Sequence, residues 1–483
     1  MREPLIIQGG MGIAISGWRL AKTVSMLGQL GVVSGTCIDS VFARLLEMGD
    51  PGGNMRKALD AFPDQEMAER VRKKYYRETP IKAGHKYISR PLPGARLNRA
   101  QQELMVIANF AEVYLAKLGH AGKIGINFLE KLQVTTLPSL YGAILAGVDY
   151  VIMGAGIPRE IPGSLDKLAM HEDAKIGIDV IGADSTDNFS SEFSPKSFFS
   201  DFSDSLPEVF RPKFLAIISS NVLAITLKKK SNGRVDGFIV EKPLAGGHNA
   251  PPRGPLKLNE AGEPIYGERD VVNLTQLKKL ELPFWLAGGH GSAEGLKFAL
   301  EEGAQGIQAG TLFALCNESG LSQKYKKIAL EKILTDKLNI LTDARASPTG
   351  FPFKVAQIEN TCSDDEVSKK RPRLCDLGYL RKAYKKENGF LGYRCASEPE
   401  DQYLEKGGVI EATIGRKCLC NALMVNVGLG QTQLNSHQEL PLLTLGDDIQ
   451  KVKRFISKES LSYSAKDIID DLLTLVRRPV AQL

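Results

Sequence analysis

Long hydrophobic runs are missing from this chain, and stretches such as Phe214–Ser219 and Asp149–Gly156 are only strand-sized. A membrane-spanning helix needs roughly 18–20 apolar residues, so no membrane partner is expected. The N-terminus lacks an apolar core followed by a small-residue cleavage site, which predicts a cytoplasmic protein. Charge of one sign is also scarce: 62 basic and 56 acidic residues interleave to a net charge of +6, and no nucleic-acid partner is predicted.

The sequence also lacks clear patterns for disulfide bonds and for nucleotide binding. The seven cysteines are odd in number and no signal peptide precedes them, which argues against a disulfide framework. No G-x-x-x-x-G-K-S/T loop occurs. Gly154-Ala155-Gly156 follows a strand-like run, but Arg159 stands where the dinucleotide fingerprint expects its next glycine. P-loop and Rossmann-type nucleotide binding are therefore disfavoured.

The chain contains short apolar or β-branched segments that end in Gly, Ser or Asn and alternate with helical patterns. Such alternation indicates parallel strands joined by helical crossovers, and about eight strands favour a closed (β/α)8 TIM barrel. An open doubly wound sheet is the competing architecture. The segments are Leu5–Gln8, Gly31–Ser34, Ile124–Asn127, Tyr150–Met153, Ile176–Val180, Leu215–Ser219, Gly237–Val240, Phe284–Ala287 and Gly306–Gln308.

Two regions fit the repeat poorly. Residues 47–98, approximately, are polar and partly helical, and we interpret them as an insertion in a barrel of residues 1–360. Residues 361–483 form a C-terminal extension with five of the cysteines and an amphipathic helical pattern at Ala465–Arg477.

The active site of such a barrel lies at the carboxyl ends of the strands. His248 follows two glycines at one strand end, where its imidazole would face the barrel mouth and serve as an acid or base toward a carbon acid. Two glycine turns follow the last two strands, at Gly288-Gly289 and Gly310-Thr311. Backbone N–H groups at such turns bind phosphate, and an FMN phosphate is the expected occupant.

These residues together resemble the nitronate monooxygenase family, formerly called 2-nitropropane dioxygenases. The motifs that carry the resemblance keep their order over roughly residues 4–355. They are Ile6-Ile7-Gln8-Gly9-Gly10-Met11, Gly125-Ile126-Asn127, Ala245-Gly246-Gly247-His248, Ala287-Gly288-Gly289, Gln308-Ala309-Gly310-Thr311 and the closing segment Leu341–Phe353.

The resemblance implies a flavoprotein, an FMN-dependent oxidoreductase that converts an alkyl nitronate and O2 into a carbonyl compound and nitrite. It implies His248 as the catalytic residue, which deprotonates a nitroalkane or positions the nitronate. Its cofactor-binding positions map onto Gly10, Met11, Asn127 and Gly247, with Gly288, Gly289, Gly310 and Thr311 at the phosphate. Asn249-Ala250-Pro251-Pro252 departs from the family pattern after the histidine and leaves the substrate open.

Two alternatives stand beside this interpretation. FMN-dependent enoyl reductases that use NAD(P)H share the motif set, and their cysteine-containing tails resemble Gly415–Asn421. A flavin- or metal-binding interaction protein without catalysis is the alternative of another class. Cys375, Cys395, Cys418 and Cys420 have no C-x2-C spacing, so no metal site is assigned and buried thiols are expected. Homo-oligomerisation is left open.

Overall fold

A computed structural model describes residues 3–82, 85–199, 206–433 and 436–476. Eight parallel strands form one sheet in the order β1-β8-β7-β6-β5-β4-β3-β2. A parallel bridge between Ile7 and Leu30 joins the two outer strands and closes the ring. The predicted (β/α)8 barrel is confirmed, with an inserted helical segment and a C-terminal extension. The strands are β1 Ile6–Gln8, β2 Gly31–Ser34, β3 Ile124–Leu129, β4 Tyr150–Gly154, β5 Lys213–Ile218, β6 Gly237–Glu241, β7 Phe284–Ala287 and β8 Gly306–Ala309.

Side-chain alternation divides each strand between two cores. One set of side chains fills the barrel interior, among them Val32, Ile152, Leu215, Ile239 and Trp285. The intervening side chains pack outward against the helices in the largest core cluster. Strands buried on both faces carry continuous apolar runs, which is why they were visible in the sequence.

Helices surround the barrel and form the insertion. Several begin at a side-chain cap, such as Asn98 before the long helix Arg99–Lys117, where Gln101 completes a capping box. The α-helices are Trp18–Met26, Ile38–Glu47, Asn54–Asp60, Gln65–Tyr75, Arg99–Lys117, Gln133–Leu145, Ile161–Leu168, Pro195–Phe198, Asn221–Lys230, Leu274–Lys278, Ala293–Glu301, Thr311–Ala314, Gln323–Leu334, Asp365–Lys369, Glu400–Glu405, Leu419–Asn426 and Ala465–Leu472. The 3₁₀ helices are Glu268–Asp270, Ile410–Thr413 and Asp447–Phe455. Within the described residues, no helix is both long enough and apolar enough to cross a bilayer.

One predicted strand lies outside the barrel. The segment Ile176–Val180 contributes to Ala174–Gly177, which pairs antiparallel with Ser190–Phe193. Its side chains alternate between buried and exposed, whereas the barrel strands are buried on both faces. A half-exposed strand suits a surface hairpin, and the polar residues that follow it exclude a buried crossover.

The C-terminal extension folds back onto the barrel. Leu443, Leu445, Ile449 and Val452 belong to the same core cluster as the barrel helices, and so do the buried residues of the helix Ala465–Leu472. Arg477, the predicted end of that helix, lies outside the described residues. Three small sheets complete the structure. They pair Ile340–Asp343 with Phe353–Ala356, Ala174–Gly177 with Ser190–Phe193, and Lys382–Lys385 with both Leu391–Arg394 and Val180–Ile181.

Candidate active site

A large cavity opens at the carboxyl ends of the strands, and its space free of protein atoms, the open mouth included, is about 1690 Å³. Because side chains alternate along a strand, the residue two positions after an interior side chain faces the same way. Ile239 fills the barrel interior, so Glu241 at the end of β6 faces the cavity. The other strands place their floor residues by the same rule: Gly9, Ser34, Asn127, Gly154, Ile217, Ala287 and Gln308.

All nine site residues predicted from the sequence line this one cavity. They are Gly10, Met11, Asn127, Gly247, His248, Gly288, Gly289, Gly310 and Thr311. Strands far apart in the sequence thus bring them together at one end of the barrel. The individual roles assigned to them remain predictions.

The turn after β1 lies close against β3. A Cβ added to Gly10 would overlap the side chain of Asn127, so only glycine fits there. Ser16 holds the turn from behind, since its Oγ accepts a hydrogen bond from Met11 N–H at 3.0 Å and donates one to Gly9 O at 3.0 Å. Gln8 Nε2 donates to the same hydroxyl at 2.9 Å. The turn is therefore a rigid part of the cavity wall.

His248 is held by a segment far along the chain. Its backbone forms an antiparallel bridge with Phe353, and the two rings meet edge to face at 4.8 Å. Nε2 lies 2.7 Å from the Oγ of Ser347, which is itself fully buried. Sequence reasoning missed Ser347, because a serine 99 positions away carries no local signal. Nδ1 has no hydrogen-bond partner among the described residues.

Burial sets the charge of this histidine. It lowers the pKa of His248 to about 4, since no carboxylate faces the ring to favour the charged form. The imidazole is therefore neutral at pH 7. A base this weak suits the positioning of a bound anion better than removal of a proton from carbon, which calls for a pKa near the working pH.

The two glycine turns present backbone donors to the cavity. Gly288 and Gly289 adopt φ values of +79° and +83°, which side-chain-bearing residues rarely adopt. The N–H groups of Gly289, His290 and Gly291 have no acceptor among the described residues. His290 is buried and its Nε2 is unpartnered as well. Unsatisfied donors of this kind form an anion-binding nest.

The C-terminal extension adds charges to the same corner. Lys451 Nζ donates to Gly289 O, and its charge adds to burial in lowering the pKa of His290 to about 4. Asp448 lies beside Thr311 and Lys451, and burial raises the pKa of its carboxyl. Thr311 Oγ1 already accepts a hydrogen bond from Gly446 N–H at 2.9 Å. Accepting this bond leaves the O–H of Thr311, which lies beside the Asp448 carboxyl, as a donor.

The outer wall of the cavity comes from residues that the sequence did not indicate. Residues of the extension cover the barrel mouth opposite the floor, and most of them are apolar. They are Tyr379, Leu380, Leu419, Cys420, Leu423, Asn426, Leu443, Thr444, Leu445 and Asp448. Only Leu419, Cys420, Leu423 and Asn426, on the helix Leu419–Asn426, have helical spacing, and the others come from loops and from the start of the 3₁₀ helix Asp447–Phe455.

The cysteines are unpaired thiols. Burial raises the pKa of Cys395 and Cys418 to about 12, and that of Cys375 to about 11. Cys37 and Cys420 line the cavity with pKa values well above the usual thiol range. Across the part of the chain that the structure describes, no group of three or more His, Cys, Asp or Glu side chains is arranged to hold a metal ion.

The cavity fits a ligand with a phosphate at one end and a flat polar ring at the other. The phosphate end is the nest at Gly289–Gly291 with Lys451 beside it. At the ring end, Gln308 Oε1 and Asn426 Oδ1 are buried acceptors without a partner among the described residues. Flavin mononucleotide has both features, and the glycines at positions 10 and 288 allow a close approach of backbone and ligand.

Comparison with known proteins relates the chain to one enzyme family. Residues 210–364 match the family model described as nitronate monooxygenase. A probable nitronate monooxygenase of Staphylococcus saprophyticus is 30% identical over 135 residues, which are 27% of this chain and 37% of that protein. A nitronate monooxygenase of Pseudomonas aeruginosa is 35% identical over 92 residues, 19% of this chain and 24% of that protein. The matches thus span well under half of either curated relative.

Solved structures align along nearly the whole chain at low identity. FabK from Thermotoga maritima is 14% identical, with 98% of this chain and 92% of that chain covered and a TM-score of 0.46. A nitroalkane oxidase from Streptomyces ansochromogenes is 13% identical, with coverage of 98% and 95% and a TM-score of 0.46. The enoyl reductase domain of MlnA from Bacillus amyloliquefaciens is 10% identical, with coverage of 99% and 96% and a TM-score of 0.47.

Proposed function

We propose that this chain, whose residues 210–364 match the family model described as nitronate monooxygenase, is an FMN-dependent oxidoreductase. The proposed reaction oxidises an alkyl nitronate with O2 to a carbonyl compound and nitrite. The observation that carries the proposal is that His248 and the backbone N–H groups of Gly289–Gly291, which lack an acceptor within the described residues, line one cavity at the mouth of the barrel.

FMN would be held by backbone more than by side chains. Gly10, Met11 and Asn127 would contact the ring system from the β1 and β3 side, and Gly247 from the β6 side. The turns at Gly288-Gly289 and Gly310-Thr311 would bind the phosphate through N–H groups, with Lys451 as the nearby cation. When bound, FMN supplies the electron acceptor for the substrate and the site of reaction with O2.

His248 would orient the substrate rather than deprotonate it. Its neutral ring can donate one hydrogen bond to a nitronate oxygen, and Ser347 fixes the ring plane through Nε2. Because a pKa of about 4 makes the ring a poor base, the expected substrate is the nitronate anion rather than the neutral nitroalkane.

Anaerobic absorbance of the purified protein tests the proposal. We expect an alkyl nitronate alone to bleach the flavin spectrum, and air to restore the colour with formation of nitrite. His248→Ala should slow bleaching about a hundredfold with flavin still bound, whereas His120→Gln, outside the cavity, should behave as the parent. A protein that takes up FMN but is not reduced by any nitronate would contradict the proposal.

A second candidate is enoyl reduction with NAD(P)H. The apolar outer wall favours it, because Leu380, Leu419, Leu423 and Leu443 offer more hydrophobic surface than a short nitronate would cover. An alkyl or acyl chain would bury against these leucines. Bleaching by NADPH alone, followed by reoxidation with a 2-enoyl thioester, would select this candidate over the first.

A further inference from the structure

Glu241 differs from every other residue of the cavity floor. Of the eight floor residues named above, it alone carries an ionisable side chain. It also lines a second cavity of about 270 Å³ behind β6, beside Ser219, Lys242, Tyr266 and Asp270. The carboxyl group therefore borders both the large cavity and this smaller one.

The side chain has no hydrogen-bond partner and no ion pair among the described residues. The titratable groups that share its two cavities are His248, His290, Asp448, Cys37, Cys420 and Tyr379 on one side and Lys242, Tyr266 and Asp270 on the other. Both carboxylate oxygens of Asp270 already accept backbone hydrogen bonds, from Arg253 N–H at 2.9 Å and from Gly267 N–H at 2.8 Å.

Lys242 makes no ion pair with Glu241, and enclosure without a paired cation favours the neutral form of a carboxyl group. Burial raises the pKa of Glu241 to about 8, so it carries a proton at pH 7. Burial lowers the pKa of His248 instead, so this residue carries no positive charge at pH 7. The cavity thus contains a neutral carboxylic acid and a neutral imidazole. Of these two groups, the carboxylic acid is the one that can transfer a proton.

On the basis of the proposed function, we infer that Glu241 is an acid–base group of this cavity, a carboxylic acid that donates to an acceptor bearing or gaining negative charge above the floor. In full transfer the Glu241 O–H bond breaks and a bond between the proton and the acceptor forms. A proton from bulk solvent then returns to the carboxylate through water in the second cavity, each water molecule receiving one proton as it passes one on, so no hydroxide is left behind. The acceptor is a nitronate oxygen of the substrate or an electron-rich atom of the reduced flavin.

The protonated carboxyl can be observed without any reaction. Infrared difference spectra of the full-length chain, stripped of flavin, between pH 6 and 9 should show a carboxylic acid band lost with a midpoint near pH 8. Glu241→Gln should remove the component with that midpoint and leave the band of Glu112, whose pKa burial raises to about 7. Glu130→Gln is the matched control, because Glu130 follows β3, has a raised pKa, lies outside the cavity and accepts a hydrogen bond from Gln133 Nε2 at 2.9 Å. Absence of the band from the parent at pH 7 would overturn the inference.

Two further measurements on FMN-loaded protein separate the two acceptors. Nitrite serves as an unreactive anion, and its Kd should rise about tenfold per pH unit above pH 8 in the parent but stay level in Glu241→Gln if the substrate anion is the acceptor. A break in the pH dependence of the flavin midpoint potential that vanishes in the same variant would identify the reduced flavin. If neither quantity depends on Glu241, the inference is wrong. Failure to bind FMN or to react with nitronate would instead remove the proposed function, while the infrared result on the stripped chain still stands.

Discussion

Removing Asp447 should destabilise the protein more than removing Lys354, its partner in an ion pair. Lys354 follows the strand residue that pairs with His248, and its side chain is 3% exposed, against 34% for Asp447 of the extension. Lys354 Nζ lies 2.6 Å from Asp447 Oδ2 and also hydrogen-bonds Thr342 Oγ1. The pair connects the closing segment of the barrel to the wall of the cavity.

The magnitudes follow from which charge is left behind. Asp447→Ala leaves a buried ammonium with one hydroxyl partner, and we expect a loss of about 3 kcal/mol in the free energy of unfolding, the low end of the cost of breaking a buried pair. Lys354→Met leaves a carboxylate that water already reaches, and we expect about 1 kcal/mol. The difference of about 2 kcal/mol is nearly a thirtyfold change in the unfolding equilibrium, since 1.4 kcal/mol corresponds to tenfold.

Urea unfolding followed by circular dichroism measures these values, with Lys354→Met/Asp447→Ala closing the double-mutant cycle. The double variant should lie within about 1 kcal/mol of the parent, because replacing both partners with apolar groups leaves no buried charge. Equal losses for the two single variants, or a larger loss for Lys354→Met, would refute the assignment of burial. Strictly additive losses would show that the two side chains do not interact.

Four shorter predictions follow from other sites. Gly10→Ala should weaken FMN binding at least tenfold in fluorescence titrations because its methyl group overlaps Asn127, while Gly267→Ala, whose Cβ meets nothing within 4 Å, should leave it unchanged. Ser347→Ala should lower kcat on nitronate about tenfold with FMN affinity unaltered, and an unaltered kcat would show that the His248 ring does not depend on this hydroxyl. The folded-state pKa of His248 lies below its unfolded value of about 6.5, so the unfolded chain binds the extra proton first. The free energy of unfolding should therefore fall as the pH drops from about 6.5 to 4, by up to about 1.4 kcal/mol per pH unit. In urea titrations at several pH values, His248→Gln should flatten that slope. Ellman's reagent at pH 8 should find almost no reactive thiol in the native protein and seven in denaturant, because burial keeps the native thiols protonated. Fast reaction of the native thiols would contradict their burial.

The barrel was predictable because its evidence is local. Each β strand is a short run of apolar residues closed by Gly, Ser or Asn, and a strand buried on both faces has no other pattern. The prediction of Ile176–Val180 as a barrel strand was wrong for the same reason, because its apolar residues resemble those of a buried strand. Only the pairing with Ser190–Phe193 shows that one face is exposed.

The sequence by itself determined the eightfold alternation and the set of residues at the strand ends, since chain direction in a parallel barrel carries all those ends to one side. Nine residues could therefore be assigned to one cavity before any contact was known. The tertiary structure alone decided what covers that cavity and what charge its groups carry. Ser347 at His248, Gly446 at Thr311 and Asp447 at Lys354 each join positions at least 93 residues apart. Such contacts leave no periodic trace in the chain, and the burial that keeps His248 and Glu241 neutral is a property of the folded cavity rather than of either residue type.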